Sequence, residues 1–121
     1  MGMFPALGRL NLTDAQREQV KSVLDSHRDE TRTLADRSGA AHRTLTLAVT
    51  SEQFDESAVR ARSAEVAAVE ADMAVLQARI HGEIWQLLTP DQQKHARELQ
   101  TQMEQRRQDR QGGRPGGSAP R

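Results

Sequence analysis

Residues 55–92 read DESAVRARSAEVAAVEADMAVLQARIHGEIWQLLTPDQ, and the periodicity of this stretch decides the fold class. Val59, Val66, Met73, Ile80 and Leu87 recur every seven residues, joined by Val69, Leu76 and Ile84, which places them on one face of a helix over about 55–87. Alanines at 58, 61, 64, 67, 68, 71, 74 and 78 raise helix propensity and leave room for another helix to approach closely. At a rise of 1.5 Å per residue such a helix would run roughly 50 Å. That is longer than a compact domain of 121 residues needs, so the expected molecule is elongated.

The stretch ends in Leu88-Thr89-Pro90-Asp91-Gln92, and the same pattern stands near the other end of the chain as Leu12-Thr13-Asp14-Ala15-Gln16. Thr followed three residues later by Gln is a capping box. The hydroxyl accepts from the N3 amide, and the Gln side chain reaches back to the N–H of the cap. Pro90 falls at N1, where its fixed φ suits a helix start and its missing N–H costs nothing. Leu12 and Leu88 precede the caps, placed to fold over the first turns. One copy marks a helix start, and two copies frame the chain.

From Asp14 to about Ala48 two apolar rows share one helix face: Val20, His27, Leu34, Ala41 and Ala48, and Leu24, Thr31, Ser38 and Leu45. The centre of this seam is thin, and Gly39 weakens a helix by roughly 1 kcal/mol relative to Ala. The expected bend is therefore at Arg37-Ser38-Gly39. A turn is expected at about 49–55, with Thr50 and Asp55 as alternative caps. A last helix is expected from Pro90 to about Arg107, with Ala96, Leu99 and Met103 on one face. The domain expectation is a flexible lead over 1–8, a helical domain over 9–108 and a disordered Gly/Pro/Arg tail over 109–121. No strand pattern is present in the sequence.

Composition narrows the function classes. Hydrophobic residues make up 36% of the chain and aromatic residues 2%, too little for a thick core. Small chains with modest cores usually draw stability from disulfides, metals or oligomerisation. There is no cysteine, which excludes disulfides, zinc-thiolate sites and Cys nucleophiles and points to a homodimer. Lys plus Arg and Asp plus Glu balance at 17 each, which argues against a nucleic-acid binder. The charge is uneven: residues 51–90 carry three basic against seven acidic residues, a net of −4, while residues 91–121 carry seven against four, a net of +3. An acidic middle between basic flanks invites antiparallel pairing between chains, though solvated helix faces are the commoner explanation of such a pattern.

No run approaches the roughly 20 apolar residues of a membrane span. Met1-Gly2-Met3-Phe4-Pro5 lacks the basic and apolar regions of a signal peptide, so composition alone leaves the compartment open.

Catalytic chemistry finds no support. His27, His42, His81 and His95 are scattered, no serine sits in a nucleophile elbow, and phosphate-cradling glycine loops are absent, so the expectation is a protein that is not an enzyme and carries no cofactor. No pair of histidines is spaced i,i+4, and a cation site would require His42 and His81 to meet across a helical hairpin; seam or surface histidines are the simpler reading. More suggestive are Lys21, Arg28, Arg32 and Arg43, which alternate with Leu24, Leu45, Leu47 and Val49. A face offering both cations and apolar side chains can hold flexible chains by attraction and nonspecific burial. The alternative is an ordinary solvated helix with neighbour pairs such as Asp25–Arg28 and Asp29–Arg32.

Residues 9–24 (RLNLTDAQREQVKSVL) and 84–93 (IWQLLTPDQQ), with Ser51-Glu52-Gln53-Phe54-Asp55 between them, resemble the Spy/CpxP family of periplasmic LTxxQ-motif proteins. The likeness extends over about residues 9–107 and is closest to the family's Spy-type chaperones. It implies an all-α, cradle-shaped antiparallel homodimer of long bent helices in the periplasm, with any export signal lying outside this sequence. It further implies an ATP-independent chaperone for unfolded or aggregation-prone envelope proteins. Carried onto this chain, the client-binding face would include Lys21, Leu24, Arg28, Arg43, Leu45 and Val49, while Leu12, Thr13, Gln16, Leu88, Thr89 and Gln92 form the structural motif. Other branches of the family imply a regulator docking on an envelope-stress sensor kinase, or a metal-responsive sensor using histidine pairs or His-rich tails, which this chain lacks. The chain also lacks the prolines that break the first long helix in the chaperone branch.

Overall fold

The computed structural model describes residues 7–112, and these form a 3-10 turn and four α-helices with no strand among them. The turn, Leu7–Arg9, leads into α1 (Asp14–Ser26) and α2 (Arg28–Val49); α3 (Glu56–Leu87) returns antiparallel to α2, and α4 (Pro90–Gly112) follows after two residues. The flexible lead and tail expected from sequence fall largely on residues 1–6 and 113–121, which lie outside the described residues. Helix α4 runs five residues past the expected end at Arg107.

The α2–α3 hairpin follows the expected seam. Val20, Leu34 and Ala41 of the first apolar row are buried, as are Val66, Val69, Leu76, Ile80 and Ile84 of α3. They divide into three small clusters strung along the hairpin. Ala41, Val66 and Val69 lie towards the turn; Val20, Leu34, Leu76, Ile80 and Ile84 form the middle; Leu10, Leu88, Ala96 and Leu99 close the base. Met73 bridges the first two clusters, and Leu7 and Leu12 bridge the last two. The thin core expected from composition is therefore drawn out along helices rather than gathered at a centre.

The break in the first long helix is not at Gly39. It lies at His27, which is both the C-cap of α1 and the N-cap of α2. At the bend the Ser26 hydroxyl donates to the Val23 carbonyl at 2.8 Å, the acceptor that the His27 N–H would use in a continuing helix. The His27 N–H turns instead to the Leu24 carbonyl at 3.2 Å, a tighter i→i−3 bond. Across the bend, His27 Nε2 lies 3.1 Å from a Glu83 carboxylate oxygen on α3. Gly39 stays helical because Leu34 and Ala41 on either side of it are buried against α3, and this packing outweighs a propensity cost of about 1 kcal/mol.

At the hairpin turn Asp55, not Thr50, caps α3: its Oδ1 accepts from the Ala58 N–H at 3.1 Å. Thr50 closes α2, its hydroxyl donating to the Thr46 carbonyl at 2.8 Å. The acidic side chains of α3 are met within the same chain by basic residues of α2, or exchanged with it. Arg37 reaches Asp72 at 3.2 Å, His42 lies 3.9 Å from Glu70, and Arg79 of α3 reaches Glu30 at 3.6 Å. The uneven charge noted in sequence is thus used inside the hairpin, where it reinforces the antiparallel register.

Candidate functional site

Two features of the chain bring chemistry-bearing residues together. The first is the meeting of the two Leu-Thr-x-x-Gln motifs at the base. Each is a complete capping box: Thr13 Oγ1 accepts from the Gln16 N–H at 3.1 Å and Gln16 Oε1 from the Thr13 N–H at 2.9 Å, with the same distances repeated for Thr89 and Gln92. The boxes also bind one another. Gln16 Nε2 donates to Gln92 Oε1 at 2.7 Å, and Gln92 Nε2 donates back to Gln16 Oε1 at 3.0 Å. Each amide then reaches the chain leading into the opposite motif, Gln16 to the Leu87 carbonyl at 3.0 Å and Gln92 to the Leu10 carbonyl at 3.3 Å. Gln16 is the only buried polar side chain among the described residues, and both of its donors and both acceptor positions are used. Asn11 makes room for this crossing by adopting φ 56°, a left-handed conformation that Asn tolerates.

The second feature is a groove over the bend between α1 and α2. Leu24, Thr31, Leu34, Met73, Leu76, Gln77 and Ile80 line a cavity of about 210 Å³. A more open hollow beside it shares Leu24, Thr31 and Ile80 and adds Asp25, Arg28, Arg32 and Ala35. The second apolar row of the sequence, Leu24 and Thr31, is therefore not in the core. It forms the wall of the groove, and Leu24 remains 47% exposed.

Of the six residues expected to bind clients, Leu24 and Arg28 are brought together here, and Lys21 is exposed one turn before Leu24. Arg28 is engaged by Asp25 at 2.7 Å, whereas Lys21 and Arg32 form no ion pair among the described residues. Arg43 lies elsewhere, about 22 Å further along α2, in a hollow with His42, Thr46 and Leu47. Leu45 turns towards α3 and packs half-buried against the Ala41, Val66 and Val69 cluster. Val49 sits at the hairpin tip, where Leu47, Val49 and Phe54 are 69%, 62% and 85% exposed. The floor of the groove, Met73, Leu76 and Ile80, escaped notice in sequence because the same heptad row also builds the core. Phe54 carried no periodic signal at all.

The histidines do not converge. His42 faces Glu70, while His81 stacks on Trp85 with ring centroids 6.0 Å apart. Among the described residues no three His, Cys, Asp or Glu side chains form a group able to hold a metal ion. Trp85 is covered on α4 by the Arg97 guanidinium, 5.7 Å from its ring.

A family model described as heavy-metal resistance matches residues 2–94. The chain is similar to the periplasmic protein CpxP of Escherichia coli strain K12, with 33% identity over 99 residues that cover 81% of this chain and 58% of that protein. The same figures hold for the periplasmic protein CpxP of Escherichia coli O6:H1. The chain thus spans somewhat more than half the length of these curated relatives. No solved structure matches it significantly.

Proposed function

The chain belongs to the Spy/CpxP-type proteins of the heavy-metal-resistance family, and from that premise we propose that it is an ATP-independent periplasmic chaperone. The observation that carries this reading is the groove over the His27 bend, in which an apolar floor is rimmed by Arg28 and Arg32 with Lys21 close by. Cations accelerate encounter with a flexible chain, and shallow apolar contact then holds it without demanding a sequence. A site of about 210 Å³ takes one or two side chains at a time, so a client would stay free to fold while held. The reading is non-catalytic: binding replaces chemistry, and no metal step enters, since the histidines do not fit one. We place the working unit as a homodimer, supported by the exposed apolar tip and the thin core.

The test is suppression of aggregation of heat-unfolding citrate synthase. Equimolar dimer should suppress it, and replacing Lys21, Arg28 and Arg32 together by Gln should slow capture about tenfold at low salt. Leu24→Ser should weaken retention instead. No suppression by the wild-type protein would defeat the reading.

The similarity to CpxP favours a second reading, a regulator that docks on an envelope-stress sensor kinase. Specific pull-down of a membrane kinase, with little effect on aggregation, would select it.

A further inference from the structure

Helix α4 leaves the bundle after Leu99. Every residue from Gln100 to Gly112 is exposed, yet the helix continues for roughly three more turns. At 3.6 residues per turn Ala96, Leu99, Met103, Arg106, Arg107 and Arg110 share one face within roughly 100°. The face that is buried and apolar where α4 meets the base therefore becomes an arginine face once it is free. None of these three guanidiniums has an ion pair or hydrogen bond among the described residues, and the nearby Asp109 is engaged by Gln105 Nε2 at 3.3 Å. In the hairpin Arg37, Arg60, Arg62 and Arg79 meet carboxylates, whereas Arg32 and Arg43, like these three, do not. The sequence continues with Arg114 and Arg121 and adds no acid. The free stretch 100–112 holds three arginines against Glu104 and Asp109, a net of +1, and residues 100–121 together carry five against two, a net of +3.

We propose that this arginine face docks on the headgroups of an anionic phospholipid bilayer, holding the protein at the membrane surface without insertion. Basic residues clustered on one face of a helix favour an anionic phospholipid surface, and this face carries three. The exclusive use of arginine fits phosphate, because the planar guanidinium meets a phosphodiester through two parallel N–H donors. A protein partner would need a desolvated apolar centre to its interface, and here the face offers Met103 alone, 40% exposed. Headgroup binding needs none. Insertion is not implied, since no helix among the described residues is long and apolar enough to cross a membrane. The inference rests on the periplasmic placement of the proposed function but uses a different surface from its groove.

The test is co-sedimentation of the full chain with vesicles of phosphatidylcholine alone or with about 30 mol% phosphatidylglycerol. The expected result is binding to the anionic vesicles only, lost on raising salt to several hundred millimolar because the contacts are screened. R106A/R107A/R110A should weaken that binding about hundredfold while circular dichroism shows the body intact, and R60A/R62A on α3 should change it less than about twofold. Equal binding to both vesicles, no binding to either, or unchanged binding by the triple variant would overturn the proposal. So would capture of poly-glutamate without vesicle binding, which would reassign the face to an acidic polypeptide. The triple variant should still suppress citrate synthase aggregation in solution, and the Lys21/Arg28/Arg32 variant should still bind vesicles, so failure of one reading is distinguishable from failure of the other.

Discussion

Gln16 performs three tasks with one amide: it closes its own capping box, holds the Leu87 carbonyl at the end of α3, and pairs with Gln92. A buried amide with all its hydrogen bonds made contributes modestly, but its removal strands several partners at once. Gln16→Ala is therefore expected to cost about 2–3 kcal/mol in urea denaturation, against about 1 kcal/mol for Thr89→Ala, which removes one exposed cap. Because the two glutamines satisfy each other, Gln16→Ala and Gln92→Ala should be non-additive by about 1–2 kcal/mol in a double-mutant cycle. Additivity within about 0.3 kcal/mol would mean that the two boxes act as separate caps. Trp85 supplies a local readout, since its ring lies beside Arg97 of α4 and its carbonyl accepts from Gln93 Nε2 at 2.9 Å. Loss of the amide pair should alter its emission before the hairpin melts.

Among the elements, α3 and both capped starts were legible in sequence because they depend on period and on chemistry within four residues. Val66, Val69, Leu76, Ile80 and Ile84 are buried and Met73 half-buried along the expected face, and Thr13 and Thr89 cap as their spacing to Gln16 and Gln92 requires. Propensity points to a bend at Gly39, whereas the helix bends at His27, where the Ser26 hydroxyl also takes the Val23 carbonyl. The pairing of the glutamines was not legible, since residues 76 positions apart meet only once the hairpin exists. Half of the groove was legible, in that Leu24 and Arg28 stand out by charge and exposure; its floor was not, because a residue lining a cavity and a residue filling a core share one periodicity. That Gly39 is no hinge has a direct consequence. A Cβ at this position would meet only Arg43 Nη1 at 3.4 Å, the far end of a flexible side chain. Gly39→Ala should accordingly stabilise α2 by about 0.5–1 kcal/mol and raise Tm, with aggregation suppression unchanged. A fall in Tm would show that α2 needs freedom at this point.

At the scale of the molecule, three small clusters along a hairpin replace one core, and among the described residues no large side chain is fully enclosed. The Arg37–Asp72 and Arg79–Glu30 pairs are substantially exposed, so each fixes register more than it adds stability. The apolar surface left over is concentrated where α2 turns into α3. Phe54, beside Val59 and Ala64, borders an open hollow at the start of α3, with Leu47 and Val49 across the turn. Scattered single exposed apolar residues are ordinary, but three large ones fall within eight positions here, Leu47 and Val49 on opposite sides of α2. If a second copy covers this tip in the proposed homodimer, then Leu47→Ser with Phe54→Asp should move the sedimenting species from dimer to monomer at micromolar concentration. Helicity should survive, because neither side chain belongs to a buried cluster. The charge asymmetry offers no alternative explanation of assembly, since the α3 acids are met within their own chain, and association should therefore persist in high salt. A dimer that dissolves on adding salt, or a doubly substituted chain that still sediments as a dimer, would place the interface away from the tip; a wild-type chain that sediments as a folded monomer would remove the dimer altogether.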